Sequence, residues 1–162
     1  MSIHNRFLND QAGKTSPRLL SLAGPFLDIE IQVPPLIAKT LTDGGLPIPP
    51  PVVGIALVDT GATLTAVHDE ALRKLGLNPI GAADTGTAGG KVRRLIYPGR
   101  LVCPSQGWTL DLPGVISVDL TGQDIPLSPS PQPVIALLGR NFLERCLLVY
   151  NGPGGFWTLA LS

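Results

Sequence analysis

Charge is scarce in this chain of 162 residues: Asp, Glu, Lys and Arg make up 15% of it, with 12 acidic and 12 basic residues in balance. Proteins that hold nucleic acid or an acidic membrane surface carry a basic excess, so neither is expected as a partner. Histidine is scarcer still, with only His4 and His68. Two histidines make a zinc site a poor expectation, and a Ser-His-Asp site would need one of them beside an activated serine. His68 reads more simply as a helix cap or surface residue. The two cysteines, Cys103 and Cys146, lack metal-site spacing. Buried thiols are the simpler reading, and a disulfide stays open. No stretch approaches the roughly 18 apolar residues of a membrane span. The first twenty residues, with His4, Arg6, Asp10 and Lys14 among them, hold no apolar core of a secretory signal. A cytoplasmic protein is the expectation. No cofactor motif is present either, since Gly89-Gly90-Lys91 lacks the full phosphate-loop pattern.

What the chain does have is glycine (19), proline (17) and 44% hydrophobic residues. Gly and Pro punctuate strands and turns and are poor helix formers. The expected fold class is therefore all-β with one or two short helices. Residues 1–23 are polar and read as an irregular, flexible amino-terminal arm, leaving 24–162 as the folded domain. Alternation from Phe26 to Val33 predicts a half-buried strand that stops at Pro34-Pro35. Val52 to Val58 is an unbroken apolar run of strand length, as in a strand buried on both faces. A short helix is expected from Asp69 to Leu75, with acids in its first turn, Arg73 and Lys74 in its last, and Gly76 as the stop. Lys91–Leu101 predicts a strand broken near Pro98-Gly99, and Trp108–Asp119 gives further strand. Thr121–Pro133 reads as an exposed loop. Val134–Leu138 is a second buried strand, followed by a short helix near Phe142 and a closing hairpin. Trp108 and Trp157 are expected in the core or at a dimer contact, and Arg93, Arg94 and Arg100 form a local basic cluster.

The apolar run ends on Asp59-Thr60-Gly61-Ala62. An acid directly after a buried strand is informative, because desolvating a carboxylate is costly without partners. Threonine can donate inward and glycine admits close approach of another chain. The tripeptide alone is weak, for it occurs again at Asp84-Thr85-Gly86. There, small residues flank it and no apolar run precedes it, so Asp84 reads as a loop residue. The second signal is Leu137-Leu138-Gly139-Arg140-Asn141-Phe142-Leu143, roughly eighty residues after Asp59. Alone it is a strand, a glycine turn and a helix start.

Together the two motifs resemble the retropepsin-like aspartic proteases, over about residues 25–162. That resemblance implies a barrel active as a homodimer, one Asp59 from each subunit, and a peptide or protein substrate. Two carboxylates so close share a proton. One acts as general base on a trapped water while the other donates to the scissile carbonyl. No metal or other cofactor is implied. Asp59, Thr60 and Gly61 would form the catalytic loop, with Thr60 bonding across the two-fold axis. Ala62 and a flap over about 85–97, whose tip holds Gly86, Thr87, Ala88, Gly89 and Gly90, would bind substrate. Gly139, Arg140 and Asn141 would be structural. Viral members often carry an acid where this chain has Thr63, so Arg140 is expected either to take another partner, such as Asp69 or Glu70, or to differ in its structural role. A catalytically silent dimer that binds peptide is the alternative, and self-trimming of the amino-terminal arm a third possibility.

Overall fold

The computed structural model describes residues 2–87, 90–125 and 132–161. In chain order the elements are β1 (Ser2–Phe7), α1 (Pro17–Ala23), β2 (Phe26–Gln32), α2 (Pro35–Asp43), β3 (Val52–Val58) and β4 (Ala66–His68). They continue with α3 (Asp69–Lys74), β5 (Gly81–Thr87), β6 (Gly90–Cys103), β7 (Trp108–Val118) and β8 (Asp124–Ile125). The last are β9 (Gln132–Leu138), α4 (Arg140–Leu143), β10 (Cys146–Asn151) and β11 (Phe156–Leu161). The fold is mainly β.

Strands pair in the order β2-β3-β9-β4-β7-β6, and a further β2–β6 ladder closes these six into a barrel. Closure removes the unpaired edges that an open sheet would leave. Within it β3 and β9 run parallel, Val58 beside Leu138. They therefore leave the barrel side by side in the same direction, which places the two sequence motifs next to each other. The centre of β3 is buried, with Ile55 and Ala56 fully covered, but Val53 is 68% exposed. The run is apolar throughout, yet only its middle is enclosed on both faces. The expected break in β6 is a register shift between Tyr97 and Gly99.

The amino-terminal residues do not form the irregular arm that their polarity suggests. Strand β1 pairs along its length with β11, Ser2 opposite Leu161 and Phe7 opposite Phe156. Helix α1 follows, opened by Ser16, whose Oγ accepts from the Leu19 amide at 3.4 Å, and by Pro17 in its first turn. It seals Leu20 completely, a burial that contributes about 2 kcal/mol. Strands β1, β11 and β10 make a second, three-stranded sheet. Its inner face carries Trp157 and Leu159 into the same hydrophobic cluster as the barrel. Trp108 packs there too, 5.6 Å from the Phe142 ring, so both tryptophans are core residues.

Four further details differ from expectation. Pro35 opens a nine-residue helix, α2, where only a strand end was expected. Helix α3 starts at Asp69 as expected and ends at Lys74, with Leu75 at its C-cap, but His68 at its start makes no side-chain cap bond. Residues 81–87, small and glycine-rich, form β5 and pair with β6 from Gly81–Ile96 to Thr87–Gly90. Asp84 is therefore a strand residue. A long partner strand, itself paired with β7, recruits a segment that has little strand preference of its own. Of the expected exposed loop at 121–133, the two residues of β8 and the start of β9 are strand, and 126–131 lie outside the described residues.

Candidate active site

Asp59 is the first residue beyond β3, and its amide donates to the Leu138 carbonyl at 3.0 Å, extending the parallel ladder by one rung. The chain then turns sharply. Asp59 Oδ1 accepts from the amides of Gly61 (2.9 Å) and Ala62 (3.2 Å), which fixes the carboxylate against its own loop. Oδ2 has no partner among the described residues. Thr60 and Gly61 are exposed, and Asp59 is half-buried.

Beyond the turn, residues 62–65 cross residues 139–141 and are bonded to them throughout. The Arg140 amide donates to Ala62 O at 2.9 Å and the Asn141 amide to Thr63 O at 3.2 Å. Thr65 is the one buried polar residue among the described residues, with no exposed surface. Its amide and hydroxyl both donate to Asn141 Oδ1 at 2.8 Å, and its hydroxyl accepts from the Gly139 amide at 3.2 Å. A buried hydroxyl with donor and acceptor roles both filled is a stabilising joint, whereas a half-filled one would be a cost. The crossing is so close that a Cβ on Gly139 would lie 2.5 Å from the Leu64 carbonyl carbon. Only glycine fits there.

Arg140 does not reach Asp69 or Glu70, which instead pair with Arg73 and Lys74 along α3. Its Nη1 donates to the carbonyls of Thr60 (3.0 Å) and Gly61 (3.1 Å), and Nη2 donates to Thr63 Oγ1 at 2.8 Å. The guanidinium fork thus clamps the outside of the Asp59 turn, and the Thr63 hydroxyl accepts where an acid was missed. Thr65 is a site residue that the sequence did not single out, and Thr63, marked there only as the place of a missing acid, is an acceptor for Arg140.

Beside this loop lies a cleft of about 370 Å³. Gly61, Ala62 and Leu64 form one wall, Ala66, Ile116 and Leu137 lie along the barrel, and Ala83, Thr85 and Gly86 of β5 overhang it. Ala62 and Gly86 both line this cleft. Gly90 pairs with Thr87 at the base of the hairpin tip, at φ +112°, a backbone state suited to glycine. Ala88 and Gly89 fall outside the described residues.

Other reactive groups are placed less suggestively. Both cysteines are free thiols. Burial pushes the Cys146 thiol up to about 11, and burial likewise raises Cys103, so neither resembles an activated thiolate. His4 stacks 4.9 Å from Trp157, and burial lowers its pKa. His68, Asp69 and Asp119 offer ligand atoms within 4.8 Å of one another. His68 Nδ1, however, already accepts from the Leu120 amide at 3.1 Å, and Asp119 Oδ1 accepts from the Thr121 amide at 2.9 Å. Among the described residues no helix is long and apolar enough to cross a membrane.

No family model matches the chain, and no curated protein matches it. Among solved structures it is similar to a retropepsin-like aspartic protease from Rickettsia conorii, at 16% identity and a TM-score of 0.48, over 98% of this chain and 91% of that one.

Proposed function

We propose that the protein is an aspartic endopeptidase that acts as a homodimer, hydrolysing peptide bonds with a water activated by two Asp59 carboxylates. The observation that carries this reading is the Asp59 loop itself. A carboxylate sits at the end of a buried strand beside a cleft, held through one oxygen by two amides and without a partner at the other among the described residues. The Thr65–Asn141–Gly139 joint and the Arg140 clamp spend many hydrogen bonds on the position of that one exposed turn. Preorganisation of that kind serves a reacting group better than it serves a surface turn.

In this mechanism the two Asp59 loops meet at a two-fold axis, Thr60 of each bracing the other. One carboxylate removes a proton from the water as it attacks the scissile carbonyl, and its protonated partner donates to the carbonyl oxygen. Breakdown of the tetrahedral species returns a proton to the leaving amine. The β5–β6 hairpin acts as a flap, and its closure excludes bulk water from the cleft. An extended peptide lies beneath it, bonded through its main chain, with alternate side chains entering pockets.

Incubating the purified full chain with a broad peptide library tests this directly. Wild type should cleave and Asp59→Asn should lose roughly a thousandfold in rate while melting at an unchanged temperature. Sedimentation should show a dimer at the working concentration. Cleavage undiminished in Asp59→Asn, or full activity from a strict monomer, would overturn the reading.

A further inference from the structure

The cleft carries one positive charge that is left unmatched among the described residues. Arg94 stands directly opposite Ala83 in the β5–β6 ladder. Two residues on, Ile96 pairs with Ile116, Ile116 with Ala66, and Ala66 with Leu137. Residues opposite one another in a ladder share a face, as do residues two apart along a strand. Arg94 therefore projects from the same face as the apolar floor of the cleft, and it is one of the cleft's lining residues. It is half-buried, with no hydrogen bond or ion pair among the described residues. Its neighbours do not supply one. Arg100 has its own acid, Asp111, at 3.2 Å. Asp84, the other charged residue of the lining, stands opposite Arg93, so its side chain leaves the strand on the other face.

A guanidinium is a planar fork of donors that matches a carboxylate in two parallel hydrogen bonds. Beside Leu64, Ala66, Ile116, Val118 and Leu137 the surroundings are apolar, and such an interaction is stronger there than in open water. We propose that Arg94 makes the cleft select peptides that place a carboxylate beneath the hairpin. The proposal rests on the reading of the cleft as a peptide site and names what that site prefers. The carboxylate comes from a Glu or Asp side chain or from a peptide's carboxy terminus, two sources of one chemistry.

The test compares matched peptides within each enzyme, so that a general loss of activity cancels. Glu, Gln and Lys are placed in turn at each position near the scissile bond, and each peptide is made with a free and an amidated carboxy terminus. Wild type should cleave at least one Glu peptide about tenfold faster in kcat/KM than its Gln counterpart, or the free-acid form faster than the amide. The ratio should fall to near one in Arg94→Gln and turn toward Lys in Arg94→Glu. A ratio that persists in Arg94→Gln, or is near one for wild type at every position and terminus, would overturn the proposal. Binding of the same fluorescent peptides to Asp59→Asn protein separates this idea from the peptidase reading. Carboxylate preference in binding that disappears with Arg94, without any cleavage by wild type, upholds the selectivity and removes the peptidase. Cleavage without the preference does the reverse, and neither binding nor cleavage removes both.

Discussion

At residues 59–61 the tripeptide Asp-Thr-Gly turns a corner; at residues 84–86 the same three residues run straight along a strand. The first aspartate accepts two amides of its own loop, while the second is exposed and stands opposite Arg93 in the ladder, with no ion pair among the described residues. The first threonine has its carbonyl held by Arg140, while the hydroxyl of the second donates to Val92 O at 3.1 Å. Three residues of identical chemistry thus take different structures because of what crosses them. At Asp59 a second strand emerges in parallel and its continuation passes under the loop. At Asp84, among the described residues, β5 pairs with β6 alone. Position in the fold, more than the motif, makes a carboxylate a candidate for catalysis.

The sharpest way to break the comparison is through glycines. Gly139→Ala places a methyl group against the backbone of Leu64 and Thr65, at 2.5 to 2.8 Å, where no flexible side chain can yield. It should cost about 3–5 kcal/mol, read as a lower urea midpoint, and should abolish cleavage with it. Gly86→Ala in the other copy meets nothing within 4 Å and should change stability by less than about 0.5 kcal/mol. Equal midpoints for the two variants would show that the crossing is looser than its contacts indicate.

Next comes the joint beneath the loop. Thr65→Val keeps the shape and removes the hydroxyl, leaving the buried Gly139 amide without its acceptor and Asn141 Oδ1 with one donor fewer. That should destabilise by about 2 kcal/mol. Thr85→Val removes an exposed hydroxyl whose partner carbonyl can turn to water, and should cost under about 0.5 kcal/mol. Chemical denaturation of both variants decides the matter. If Thr65→Val is as stable as wild type, the joint does not hold the loop in place.

Some of this was legible in the residues and some could not have been. The strand before Asp59 announces itself because seven consecutive apolar residues need cover. Helix α3 does so because its charges match its ends, and the irregularity in β6 because proline and glycine interrupt a ladder. The pairing of β1 is a different case, since its partner β11 lies at the far end of the chain and nothing local points to it. The start of α1 did carry a signal, Ser16-Pro17, that the polarity of its surroundings concealed. Arg140 looked for an acid because side chains are what a sequence displays, whereas two of its three partner atoms are backbone carbonyls. Thr65 was invisible for a related reason. It is one threonine among several, made special by Asn141, 76 residues away, and by the Gly139 amide.

The smallest expected effect is the most exacting. Asp84→Asn removes a charge that makes no hydrogen bond or ion pair among the described residues, from a strand position that is exposed. Surface charges of that kind contribute little to stability, so the melting temperature should stay within about a degree or two, corresponding to less than about 0.5 kcal/mol. Cleavage should stay within about an order of magnitude of wild type, because Asp84 edges the cleft without meeting the reacting atoms. Asp59→Asn, the same substitution in the same tripeptide, should lose roughly a thousandfold. The two variants differ in one observable way only, which strand end or strand middle carries the amide, so the ratio of their rates measures how much of catalysis belongs to placement. A ratio near one, with both variants inactive, would mean that the hairpin's aspartate takes part in the chemistry and that the parallel strands are not what selects the acid.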